Sequence, residues 1–78
     1  MKALVVGLGS MGQKRVKILN ELGIETIGVD RRADRREQAA ARFGIRTAAD
    51  VIEALKERPD IMLVCTWPHD HLRYVNMA

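Results

Sequence analysis

Apolar residues along this chain fall into two alternating rhythms, short continuous runs and helix-spaced stripes. Lys2 to Val6 is a short apolar run after one lysine, bounded by Gly7, which predicts a strand covered on both faces. Ser10 to Leu22 repeats Met11, Ile18, Leu19 and Leu22 at helical spacing, with Gln13, Lys14, Lys17 and Glu21 mostly elsewhere, and Gly23 follows as a C-terminal cap. Glu25 to Asp30 predicts a second strand with Ile27 and Val29 in the core. Asp34 to Phe43 predicts a helix with a small apolar stripe of Ala39, Ala40 and Phe43, and Asp34 stands three residues before Glu37 in capping-box spacing. Ile45 to Thr47 predicts a short edge strand. Asp50 to Glu53 repeats the capping spacing and opens a helix to about Glu57, which Pro59 ends. Asp60 to Thr66 predicts a fourth strand between two prolines. A last helix is expected from near His69, with Leu72 and Val75 on its buried side. The order β-α-β-α-β-α-β-α predicts an α/β fold, a parallel sheet with right-handed crossovers and strand order 3-2-1-4.

The junction of the first strand and first helix carries the chemistry. Gly7, Gly9 and Gly12 form Gly-x-Gly-x-x-Gly there. In a dinucleotide site the first glycine allows the tight turn, the second lets a pyrophosphate reach the backbone, and the third lets the helix close on the strand. The first helical N–H groups then point at the phosphates. Asp30 ends the next strand, eighteen residues after Gly12, where an acid accepts hydrogen bonds from the adenosine ribose. Glycines alone are a weak signal, but strand, glycines, helix, strand and acid in register predict a Rossmann-like cofactor domain. Ser10 can donate to phosphate or cap the helix, and Met11 fits the turn or the core.

Composition narrows the class. The 78 residues hold one domain, with 47% hydrophobic and 29% charged residues, values of a globular chain. No apolar run approaches the roughly 20 residues of a membrane span, and no signal-peptide pattern opens the chain. The lone Cys65, inside an apolar run, reads as a small core residue, and a cytoplasmic location is expected. The net charge of +3 is modest, yet Arg31, Arg32, Arg35 and Arg36 cluster after Asp30. Nucleic acid is not expected as a partner, because only 4% of residues are aromatic and no helix-turn-helix or zinc pattern occurs. A solvated helix start, or a rim at the adenosine end of the cofactor, explains the cluster.

The exit of the fourth strand, Thr66-Trp67-Pro68-His69-Asp70-His71, has Thr-x-Pro and then a histidine three residues after the proline. With Gly7-Leu8-Gly9-Ser10-Met11-Gly12 and Arg15 it resembles the glucose–fructose oxidoreductase and inositol dehydrogenase family, Gfo/Idh/MocA, over the whole chain. That resemblance implies binding of NAD or NADP and hydride transfer at a carbon of a sugar, cyclitol or related substrate. It also implies a later Glu-Lys-Pro lysine and a substrate domain. Neither occurs in these residues, which read as the N-terminal part of the cofactor domain, not catalytic alone.

Asp30 would repel a 2′-phosphate and favours NAD, whereas Arg31 and Arg32 favour NADP, since guanidinium pairs well with phosphate. NAD is the expected cofactor, with NADP admitted. Thr66, Trp67, Pro68 and His71 are expected to flank the crevice, and Trp67 fits a ribose or nicotinamide contact or plain packing. His69 reads as a helix cap. The two histidines stand two residues apart, which diverges on a helix and argues against a metal. Arg15 reads as a solvated helix residue. A homo-oligomer is expected through the fourth strand, an apolar run at an outer edge. Two other classes share the glycine motif: a nucleotide-sensing regulatory module, and a structural fragment without tight ligand binding. The Thr-x-Pro-x-x-His exit separates the first from the dehydrogenase reading.

Overall fold

Residues 2–6, with Ala3, Leu4 and Val5 wholly buried, form the centre of the sheet, because a strand buried on both faces needs neighbours on both sides. The computed structural model describes residues 1–65 and 73–76. Its elements are β1 (Lys2–Val6), α1 (Ser10–Glu21), β2 (Glu25–Val29), α2 (Ala33–Phe43), β3 (Arg46–Ala48), α3 (Val51–Leu55), β4 (Ile61–Val64) and β5 (Arg73–Asn76). The sheet order is β3-β2-β1-β4-β5, with β1 to β4 parallel and β5 antiparallel to β4. Val6 pairs with both Val29 and Val64, and Val29 pairs with Ala48. The carboxyl ends of four strands therefore lie level, and the residues that follow them share one edge.

Side-chain alternation sorts the core into two layers. Ala3, Val5, Leu63 and Cys65 face Val16 and Leu19 of α1 and Ala39 of α2. Leu4, Ile27, Val29 and Ala48 face Ala54 of α3. Leu4, Val5, Leu8 and Val16 are fully buried, each worth about 1.5–3 kcal/mol of transfer free energy. The buried stripe of α1 is Gly12, Val16 and Leu19. Ile18 and Leu22, expected in the core, are 45% and 68% exposed. Ile18 lies away from the stripe that meets β1, and Leu22 is the C-cap, past the last helical residue. Gly23 does end α1: at φ +74° it donates to the Asn20 carbonyl while Ile24 donates to Leu19, satisfying two terminal carbonyls.

Two expectations are corrected. Asp34 does not cap α2. The cap is Arg32, without a side-chain bond, and Asp34 sits inside the first turn, bonded to the Arg32 guanidinium at 2.7 and 3.1 Å. Asp50 does cap α3, accepting from the Glu53 N–H at 2.8 Å. The second correction concerns the end of the chain. Residues 73–76, Val75 among them, form β5 instead of a helix, and β5 covers the outer edge of β4. A free strand edge leaves backbone donors and acceptors unpaired, and an antiparallel partner from the same chain satisfies them. β4 is thus not the sheet's edge, and the edge on which the homo-oligomer expectation rested is covered. Among the described residues no helix is long and apolar enough to cross a membrane.

Candidate functional site

The level strand ends open onto a cleft of about 780 Å³, within the usual range of ligand pockets. Gly7, Gly9, Ser10 and Met11 form its floor from the β1–α1 turn. Asp30, Arg31 and Arg35 form one wall after β2. Ala49, Asp50, Val51 and Ile52 form another after β3, and Cys65 lines it after β4.

Each glycine of the turn meets a different constraint. Gly7 takes φ +96° and donates its N–H to the Val29 carbonyl at 2.7 Å, so the turn needs a residue free of Cβ strain. A methyl group on Gly12 would overlap the Gly7 carbonyl oxygen and lie 2.8 Å from the Gly7 carbonyl carbon, so α1 can sit this close only without a side chain there. Gly9 has an ordinary φ of −75°. A methyl group on it would meet only the Arg35 guanidinium, at 3.6–4.0 Å. The bare Gly9 position faces the cleft, and its constraint comes from what enters.

Asp30 stands across from this floor with its side chain 9% exposed. Oδ2 accepts the Leu8 N–H at 2.9 Å and Oδ1 accepts the Arg32 N–H at 2.9 Å. The carboxylate therefore ties the glycine turn to the start of α2. The Arg35 Nη1 lies 3.6 Å from Oδ2, an ion pair longer than a hydrogen bond. The arginine cluster divides. Arg32 is engaged by Asp34, and their hydrogen bond pulls the exposed Asp34 carboxyl below its ordinary value and pushes Arg32 up. Arg36 donates to the carbonyls of Asp30 and Arg31 at 2.9 and 3.0 Å. Arg31 and Arg35 line the cleft; Arg32 does not.

Gly28 gave only the weak signal of a lone glycine inside a strand, yet it supports the floor. A Cβ there would fall 2.8 and 3.0 Å from the Leu8 methyls and 3.1 Å from Ile45 Cδ1. Leu8 is fully buried and its N–H is the one held by Asp30. Gly28→Ala is expected to cost about 1–3 kcal/mol by overpacking and to lower cofactor affinity by moving Leu8. Urea unfolding alongside a binding titration checks both. A variant as stable as the parent would mean that Leu8 yields freely.

Arg15 is half-buried instead of solvated, and its Nε is sequestered with no hydrogen-bond partner among the described residues. It lies near Cys65, whose thiol is pushed up by burial and drawn down to a lesser extent by the Arg15 charge. Cys65, 8% exposed, is a protonated core residue at neutral pH. Thr66, Trp67, Pro68, His69 and His71 lie outside the described residues. Among the described residues no group of three His, Cys, Asp or Glu could hold a metal ion. The sequence reading missed Ala49, Val51 and Ile52 as cleft residues and gave Arg35 only as one of four arginines at a solvated helix start or a cofactor rim. The crossover topology alone could have placed the end of β3 beside Asp30.

A parallel sheet whose central strand leaves through this turn, with an acid at the neighbouring strand end and one cleft between, defines a dinucleotide-binding α/β domain. The chain belongs to the Gfo/Idh/MocA oxidoreductase family: the model of that family's NAD-binding Rossmann fold matches residues 1–78. Neither a curated protein nor a solved structure matches the chain.

Proposed function

We propose that the cleft takes NAD, and NADP more weakly, as the cofactor module of an oxidoreductase acting on a sugar, cyclitol or related substrate. The observation that carries the cofactor reading is the bare Gly9 position facing the cleft with the nearly buried Asp30 carboxylate beside it. When bound, the nicotinamide supplies hydride transfer. The chain's own residues do the rest. The Gly9–Met11 backbone receives the pyrophosphate at the start of α1, where free N–H groups and the helix dipole favour an anion. Asp30 accepts the ribose hydroxyls and disfavours a 2′-phosphate. Ala49, Val51 and Ile52 offer an apolar wall to the adenine; Ile52, 77% exposed in the free chain, loses water when a flat base covers it. The substrate class rests on the family alone.

Gly9→Ala tests this reading cleanly, because its methyl group meets no backbone in the free protein. Calorimetric titration of NAD and NADP is expected to show NAD bound more tightly by the parent, and at least about tenfold weaker binding by the variant, equal to about 1.4 kcal/mol. The circular dichroism spectrum should not change. Equal NAD affinity in the two proteins would remove the phosphate from Gly9.

A further inference from the structure

Arg35 occupies the one place that the proposed cofactor needs. Its guanidinium carbon and both terminal nitrogens lie 3.6–4.0 Å from where a methyl group on Gly9 would stand, and its Nη1 lies 3.6 Å from Asp30 Oδ2. A pyrophosphate reaching the Gly9 backbone and a guanidinium covering it cannot share that volume. Arg35 must therefore leave or become the phosphate's partner. Three features favour the second course. The long side chain is 40% exposed, so its head can swing without disturbing the core. Its hold on Asp30 is a loose ion pair, whereas guanidinium and phosphate oxygens form short, charge-assisted, often bidentate bonds. The other arginines are differently placed: Arg32 is bonded to Asp34 and Arg36 to two carbonyls, and of the two that line the cleft, Arg31 and Arg35, it is Arg35 that supplies the three atoms nearest to the Gly9 methyl position.

We propose that Arg35 is a partner-switching cation. In the free protein it neutralises Asp30 and shields Gly9; when the dinucleotide enters, it transfers to the pyrophosphate and frees the outer face of the Asp30 carboxylate for the ribose. This inference rests on the dinucleotide reading above and adds to it a binding residue and an order of events. Asp30 is solvated in both states: the ribose hydroxyls donate hydrogen bonds to the carboxylate in place of the cation, and the Leu8 and Arg32 N–H groups stay on it. The 2′-phosphate is the other phosphate that Arg35 could serve, and the two sources give different results.

The test compares the parent with Arg35→Met, which keeps the unbranched stem out to the level of Nε and removes the guanidinium head with its charge, using adenosine, ADP-ribose, NADH and NADPH as probes in competition and fluorescence titrations. Unchanged melting curves establish that the variant folds; if it does not, Arg35→Gln replaces it. The expected result is about a tenfold loss of affinity for ADP-ribose and NADH, the size of one charge-assisted hydrogen bond, with adenosine changed less than about twofold and a weaker dependence of ADP-ribose binding on salt. Equal or tighter binding of ADP-ribose by Arg35→Met would overturn the inference and make Arg35 a mere plug. A loss confined to NADPH would overturn it too, by assigning Arg35 to the 2′-phosphate. Failure of the parent itself to bind NADH or ADP-ribose would refute the dinucleotide reading instead.

Discussion

Gly12→Ala is expected to abolish the cooperative fold of this chain, where the neighbouring Gly9→Ala leaves it intact. The added methyl group would overlap the Gly7 carbonyl oxygen and press on the carbonyl carbon at 2.8 Å. Both are backbone atoms, and Gly7 cannot step aside: it is held at φ +96° with its N–H on Val29. Relief requires α1 to move away from β1, which separates Val16 and Leu19 from Ala3 and Val5 across the larger core. Overpacking against side chains costs about 1–3 kcal/mol, and a clash with fixed backbone costs more. A small domain has roughly 5 kcal/mol in hand. A thermal melt should show a midpoint lowered by more than about 15 °C, given about 4–8 °C per kcal/mol at this size, or no transition. A variant melting within a few degrees of the parent would show that α1 does not seat against the Gly7 peptide.

Asp30→Ala is expected to have the second largest effect, and a double one. It removes the acceptor of the Leu8 N–H and of the Arg32 N–H, leaves Arg35 without its partner, and takes away the proposed ribose acceptor. An N–H left unsatisfied near the core costs about 1–3 kcal/mol, so the unfolding midpoint should fall together with NAD affinity. Asp30→Asn separates the two roles. Its amide oxygen can still take the Leu8 N–H, while its NH2 cannot accept the Arg32 N–H, so stability should return in part while NAD binding stays weaker than in the parent. The preference for NAD over NADP should narrow in both variants. If the preference persists, the carboxylate does not read the ribose. If Asp30→Ala is as stable as the parent, the tie between the glycine turn and α2 is dispensable.

The strands and the turn were legible because each carries a local signal: a strand bounded by glycine, an acid at a strand end, Asp50 three residues before the N–H that it caps. What was not legible depends on partners distant in sequence. Ile18 has helical spacing, but burial was decided by which face of α1 meets β1, and that face is the one with Gly12; Leu22 falls past the helix end, as its C-cap. Asp34 has capping spacing, but Arg32 captures its carboxylate. Gly28 carries a weak signal, a lone glycine inside a strand, which marks a close approach; the approaching group is Leu8, twenty residues earlier. Arg73–Asn76 contains Tyr74 and Val75, good strand formers, and it became a strand because β4 offered an unpaired edge. Arg35 was one of four similar arginines until their hydrogen bonds distinguished them.

The central claim is that a dinucleotide binds at the carboxyl edge of this sheet, between the Gly7–Gly12 turn and Asp30. Its most direct test is titration of the isotope-labelled chain with NADH, followed by two-dimensional amide NMR. Saturable shifts are predicted for Gly7, Gly9, Ser10 and Met11, for Asp30 to Arg35, and for Ala49 to Ile52. The opposite end of the sheet should stay silent: there Lys2 pairs with Glu25, and its backbone N–H is held by Asp60. Shifts centred on Lys2, Glu25 and Asp60, or a folded chain whose spectrum does not respond to NADH, would contradict the account.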